Sequence, residues 1–237
     1  MVTRIINTTG ASAVALATML AVATPVTAQE DERKRLTESA QVLNTLMQTP
    51  DEQIPQYILE RAEAVVIVPT LVKGGFLLGA EHGRGVMSVR DRATGTWSSP
   101  SFMALSGGSV GWQIGLQSVD LVLLVMNKEG IDKLLSSEFK FGANASVAAG
   151  PVGRSAQAAT DANVTAEILA YSKAKGLFAG VTIEGASLRD DKDANRRIYG
   201  ASATPKTIFA GSTKATAATD IDAWRADVAK VFRSIPK

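Results

Sequence analysis

Residues 64–69 read Ala-Val-Val-Ile-Val-Pro, four β-branched residues in a row closed by a proline. Branched side chains pack well on a pleated surface, and proline cannot donate to a sheet ladder. A short unbroken apolar run bounded this way is a strand buried on both faces. A strand of that kind needs neighbours on both edges and cover on both sides, and the flanking sequence supplies them. Downstream, 76–79 and 85–90 read as strands joined through Glu81-His82-Gly83-Arg84, 91–95 as a turn, and 96–104 as extended chain. Over 109–116, Val110, Trp112, Ile114 and Leu116 alternate with smaller or polar residues, the period of a strand. Further strands are expected over 120–126, 139–149, 168–173 and 177–183, the last two turning near Lys175-Gly176, with a helix over 127–135.

Helical spacing is confined mainly to the two ends. Leu36, Ala40, Leu43 and Met47 share one face of a helix predicted over 31–47, with Asp31 and Glu32 in its first turn where the helix dipole favours acids. Pro55 suits the first position of a second helix running to about Glu63. At the far end Ile221, Trp224, Val228, Val231 and Phe232 form one face of a helix for which Thr219 is the expected cap. Strands in the middle and helices at the ends give an α+β fold with a largely antiparallel sheet. Glycines recur inside its strand segments, so the sheet is expected to be strongly curved or barrel-like.

Composition excludes several chemistries. Without cysteine there are no disulfides, thiol nucleophiles or cysteine-held metals, and His82 is the single imidazole. The formal net charge of +2 is too small for the field of a nucleic-acid binder. At the N-terminus Arg4, the apolar run 11–23 and Pro25-Val26-Thr27-Ala28 read as a signal peptide over 1–28, cut after Ala28. That leaves 29–237 as a single domain with no transmembrane span, in a periplasmic or secreted setting.

The ordered pieces of the middle resemble the SYLF domain family. They are Ala64-Val65-Val66-Ile67-Val68-Pro69, Lys73-Gly74-Gly75-Phe76, Gly83-Arg84-Gly85-Val86, Trp97-Ser98-Ser99-Pro100 and Gly107-Gly108-Ser109-Val110-Gly111-Trp112. They continue through Asp120-Leu121-Val122-Leu123, Gly150-Pro151-Val152-Gly153, Gly176-Leu177-Phe178-Ala179-Gly180 and Asn195-Arg196-Arg197-Ile198-Tyr199-Gly200. The resemblance implies a non-enzymatic domain that binds anionic phospholipid, with actin binding in some eukaryotic relatives. It implies no cofactor, and an anionic phospholipid membrane surface as partner; a protein partner is the alternative.

The residues nominated for lipid headgroups are Arg33, Lys34 and Arg35 in the first helix, together with Lys73 and Arg84, each set beside glycines. Against this stands a plainer reading of each: a solvated first helical turn, and hairpin turns whose basic residues keep the sheet edge soluble. The apolar stripe of the first helix would either enter a membrane interface or pack on the sheet. Asp120, a carboxylate entering an apolar strand, is expected to accept backbone N–H bonds or to pair with an arginine such as Arg90. A hydrolase built on His82 or Asp120 is the remaining alternative. Asp190-Asp191-Lys192-Asp193-Ala194-Asn195 starts like a calcium loop, but Arg196 stands where glycine is required, so it reads as a polar turn into a short helix.

Overall fold

The computed structural model describes residues 25–48, 53–76, 78–110, 115–136, 139–153, 166–174, 177–178 and 183–233. Among the described residues, eight strands form one strongly curved, half-barrel sheet. They are β1 (Ala64–Phe76), β2 (Leu78–Val89), β3 (Ser101–Val110), β4 (Gly115–Val125), β5 (Val147–Ala149), β6 (Ile168–Ala174), β7 (Leu177–Phe178) and β8 (Ser187–Asp190). The order is β5-β6-β4-β1-β2-β3-β8, with β7 paired to β6. Every pairing is antiparallel except the short β5–β6 ladder. The helices are α1 (Pro25–Gln48), α2 (Gln56–Arg61), α3 (Lys128–Leu134), α4 (Lys192–Tyr199), α5 (Pro205–Phe209) and α6 (Ala218–Val231).

The run 64–68 is buried on both faces. Val65 and Ile67 join a core roofed by α1, α2, α4 and α6, whereas Ala64, Val66 and Val68 join a second core under α3 and the segments around Phe141 and Ile183. Leu36 and Leu43 of α1 are buried in the first core with Trp224, Val228 and Phe232, so the apolar stripe packs inward instead of entering a membrane. Burial of each such side chain is worth about 1.5–3 kcal/mol.

Midway along β1 the ladder slips. Val68 faces Leu121 and Leu71 faces Val119, three steps on β1 against two on β4. The extra residue bends the strand, and Thr70 takes a φ of 59°, an outlying value for a β-branched residue. Asp120 accepts the Thr70 N–H at 3.1 Å, the first of its two expected roles. Arg90 bonds instead to the Glu60 carbonyl at 3.1 Å and lies over the Trp97 ring.

Several expectations are corrected. Glu81-His82-Gly83-Arg84 is not a turn: β2 runs unbroken through it. Gly83 and Gly85 are required by close approach, since a Cβ on Gly85 would stand 2.1 Å from the Ile67 carbonyl oxygen. Of the alternating segment over 109–116, Ser109 and Val110 end β3 and Gly115 and Leu116 begin β4, and 111–114 lie outside the described residues. Of the strand expected over 139–149, only β5 and a bridge between Phe141 and Ala145 form, because Gly142 turns the chain with φ 82°. The last helix is capped by Ala217 without a side-chain bond, and Thr219 lies within the helix. Residues 1–24, where most of the expected signal peptide falls, are outside the described residues.

Candidate functional site

The basic triplet of α1 is divided by helical geometry. Successive residues differ by about 100° around the axis, so Glu32, Arg35, Leu36 and Ser39 point inward while Arg33 and Lys34 point out. The Arg35 side chain is 6% exposed; its Nη1 donates to Asp191 Oδ2 at 2.9 Å, and its guanidinium lies 5.3 Å from the centre of the Phe102 ring. Glu32 is fully buried and accepts from Arg197 Nη2 at 2.7 Å. These two pairs stitch α1 to α4. Arg35 is therefore unavailable to a lipid headgroup, and leaves the set nominated from sequence. Outside, Arg33 Nε lies 3.2 Å from Asp220 of α6, and Lys34, 72% exposed, stands 3.7 Å from Glu38.

Lys73 is also used internally. Its Nζ lies 2.8 Å from Glu81 Oε2, with side chains 12% and 2% exposed. The approach is charge to charge, because that oxygen finds no donor in hydrogen-bonding geometry. A cation held this way cannot reach a membrane surface without abandoning a buried carboxylate. Arg84 is exposed on β2. It stands across from Ala104, which in turn faces Arg189 of β8, so the two arginines occupy one row of the sheet, two strand spacings apart, about 10 Å.

That row leads to the edge where β8 meets α4. Here the polar turn and short helix read from 190–195 are present. Asp191 caps α4 by accepting the Ala194 N–H at 3.2 Å. Asn195, fully buried, donates to the Phe102 carbonyl at 2.9 Å and to Asp190 Oδ1 at 2.6 Å, and accepts the Phe102 N–H at 2.9 Å. Burial pushes the Asp190 carboxyl above its ordinary range, with the Asn195 bond opposing the shift. The Asp193 carboxyl is held below its ordinary value, first by the hydrogen bond from Arg196 and then by its charge, with Arg84 adding its field. Four exposed cations, Arg189, Lys192, Arg196 and Lys206, surround this edge. Arg84, Arg189 and Lys206 make no ion pair with another described residue.

The sequence reading missed Arg189, Lys192, Arg196 and Lys206, which are spread over β8, α4 and α5. A signal for α5 was nonetheless present. Thr204 followed by Pro205, with Thr207 three positions after the cap, forms a capping box with proline at the first helical position. His82 is exposed on β2, and Asp120 is engaged by the β1 bulge.

Residues 106–225 match the family described as Ysc84, Las17-binding protein actin regulator. The chain belongs to this family. Protein YSC84 of Saccharomyces cerevisiae is 41% identical over 175 residues, 72% of this chain and 36% of the relative. LAS seventeen-binding protein 3 of the same yeast is 40% identical over 175 residues, 72% of this chain and 37% of the relative. The human SH3 domain-containing YSC84-like protein 1 is 33% identical over 151 residues, 63% of this chain and 44% of the relative. The chain therefore spans less than half the length of these relatives. The Ysc84 match takes in the end of β3 and all of β8, α4 and α5, and so includes Arg189, Lys192, Arg196 and Lys206; Arg84 and the α1 cations lie ahead of it.

Proposed function

We propose that this Ysc84-family chain is an exported, non-enzymatic phospholipid-binding protein of the bacterial envelope, periplasmic or secreted. It meets anionic headgroups with the basic face formed by Arg84, Arg189, Lys192, Arg196 and Lys206. The outer cations of α1, Arg33 and Lys34, contribute less. The observation that carries the reading is the gathering of exposed cations toward one edge of the sheet, of which Arg84, Arg189 and Lys206 make no ion pair with another described residue, in a chain whose overall charge is nearly balanced. Each cation near an anionic surface contributes about 1 kcal/mol, so a handful acting together is sufficient for recruitment. Among the described residues no helix is long and apolar enough to cross a membrane, which suits attachment by surface contact.

Flotation of the purified protein on vesicles tests this. Binding is expected to require anionic lipid and to fall as salt is raised, because exposed charges are screened over about 10 Å at 0.1 M salt. Equal, salt-insensitive binding to neutral vesicles would contradict the headgroup mechanism. The second reading, a protein-interaction module, is favoured by relatives named for binding a protein, such as LAS seventeen-binding protein 3. Absence of flotation on every vesicle would transfer the same basic face to that reading.

A further inference from the structure

The sheet path ends in two edges that are treated differently. At one end β8 carries Arg189 and Asp190, is followed by Asp191 and Lys192, and has Leu188 buried, so charge and cover guard it against pairing. At the other end lies β5, where the chain has no charged residue from Ala143 to Gly153. Ser146 and Ala149 are exposed, and Val147 and Ala148 are half-buried. The short β7 pairs with the far end of β6, at Lys173 and Ala174, and leaves β5 uncovered.

The ladder to β6 decides which backbone groups of β5 are spare. Ser146 gives its carbonyl to the Ile168 N–H at 3.1 Å, and Gly150 donates its N–H to the Ala170 carbonyl at 2.9 Å. Backbone direction alternates along a strand, so Ala148 also faces β6, while Val147 and Ala149 turn N–H and C=O outward. No hydrogen bond among the described residues uses these outward groups. The spare stretch is bounded on both sides. The Ala145 carbonyl already accepts the Gly142 N–H at 3.0 Å, and Pro151 has no N–H to give.

An edge without charge or bulge is a template for another strand, and the strand that fits this one is its own copy. About a two-fold axis through Ala148, Val147 meets Ala149 of a second copy and Ala149 meets its Val147. Each pair exchanges two hydrogen bonds, and small side chains lie opposite one another with no like charges to oppose. An axis through Val147 or Ala149 would use only one such pair, because Ala145 and Pro151 cannot supply the other. We propose that β5 is a self-association edge, through which two copies join their sheets into one. The axis stands perpendicular to the sheet, so Arg84 and Arg189 face the same side in both copies, and the dimer turns two basic faces toward one surface. So short a ladder gives a weak dimer, with a Kd of about 0.1 mM.

The chain has no cysteine, so single cysteines introduced into the whole protein report the contact cleanly. In this register the two Ala148 Cα atoms stand about 4.5 Å apart, within disulfide reach, and the two Ala149 Cα atoms about 8 Å apart, outside it. On mild oxidation Ala148→Cys is expected to form a covalent dimer at least about tenfold faster than Ala149→Cys, although position 149 is the more exposed. Sedimentation velocity over a concentration series is expected to show reversible dimerisation of the wild-type protein. Ala149→Pro removes one outward N–H and spares the β5–β6 ladder, so it should stay folded by circular dichroism and remain monomeric. Crosslinking of Ala149→Cys as fast as that of Ala148→Cys would overturn the proposal, and this pair decides alone if the proline variant does not fold. Dimerisation unchanged in a folded Ala149→Pro would overturn it too. A wild-type protein that stays monomeric, with slow crosslinking at both positions, would remove self-association and leave the edge to an extended segment of another protein.

Discussion

Two regions of this molecule carry dense positive charge, and they put it to opposite uses. The first turns of α1 hold Arg33, Lys34 and Arg35 consecutively, and each has a carboxylate: Asp220, Glu38 and Asp191. The edge formed by β8, α4 and α5 draws its cations from separate elements, and two of them, Arg189 and Lys206, are without an ionic partner among the described residues. A cluster that is conspicuous along the chain is thus largely consumed by folding, while one assembled from scattered positions remains available. The contrast teaches that the charge to count is what remains after the fold has paired its own groups. Buried pairs fix the arrangement of helices; unpaired surface cations are the ones left to meet a ligand.

The largest effect that could break this contrast is expected at Arg35. Replacing it with alanine leaves Asp191 without its buried partner and uncovers Phe102, which should cost about 3–5 kcal/mol. A urea titration measures this directly. A loss under about 1 kcal/mol would return Arg35 to the surface cluster.

A smaller loss, about 1–3 kcal/mol, is expected from Asn195→Ala, because the buried Phe102 N–H and carbonyl both lose their side-chain partner. This variant sharpens the comparison from the other side, since Asn195 anchors the free edge to β3. Amide hydrogen exchange at Phe102 should quicken by more than exchange in β1. Equal acceleration throughout the sheet would mean that the edge has no separate anchor.

The smallest effect concerns Lys133, an exposed cation that the fold has paired. Its Nζ lies 2.6 Å from Glu167 Oε1, and the carboxyl is held below its ordinary value chiefly by that hydrogen bond. A lowered folded-state value means stabilisation that is present above the unfolded value, about 4.3, and is lost as pH falls through the folded one. Lys133→Met should therefore flatten the acid side of the stability–pH curve by less than about 1 kcal/mol, the pair being partly exposed. An unchanged acid limb would show that the pair contributes nothing.

The sequence made one class of feature readable and hid another. The run 64–68, the helix beginning after Asn127 and the turn into α4 were legible because local signals and tertiary outcome agree. Double-sided burial produces an unbroken apolar run, and Asn127 accepts the Gly130 N–H as a cap. The middle of β2 reads as a turn in the sequence because Glu81 and Arg84 look like loop residues. Glu81 is tolerated in a strand only since Lys73 is brought 2.8 Å from it by the β1–β2 register. Arg35 was counted with its neighbours although its place beside Leu36, three residues after Glu32, already put it on the buried face. The basic edge was hidden for a different reason. Arg84 and Arg189 come together only after β2, β3 and β8 are in register, and Lys206 reaches the Arg189 edge from α5, so spacing along the chain carries no trace of it.

The most direct measurement is vesicle affinity for two matched pairs of charge-neutralised variants on anionic membranes at low salt. Lys192→Gln/Lys206→Gln should weaken binding by roughly thirtyfold, at about 1 kcal/mol for each cation lost. Arg33→Gln/Lys34→Gln should change it by less than about threefold, because Asp220 and Glu38 already offset those charges. The reverse ranking would place the membrane contact on α1 and contradict the account.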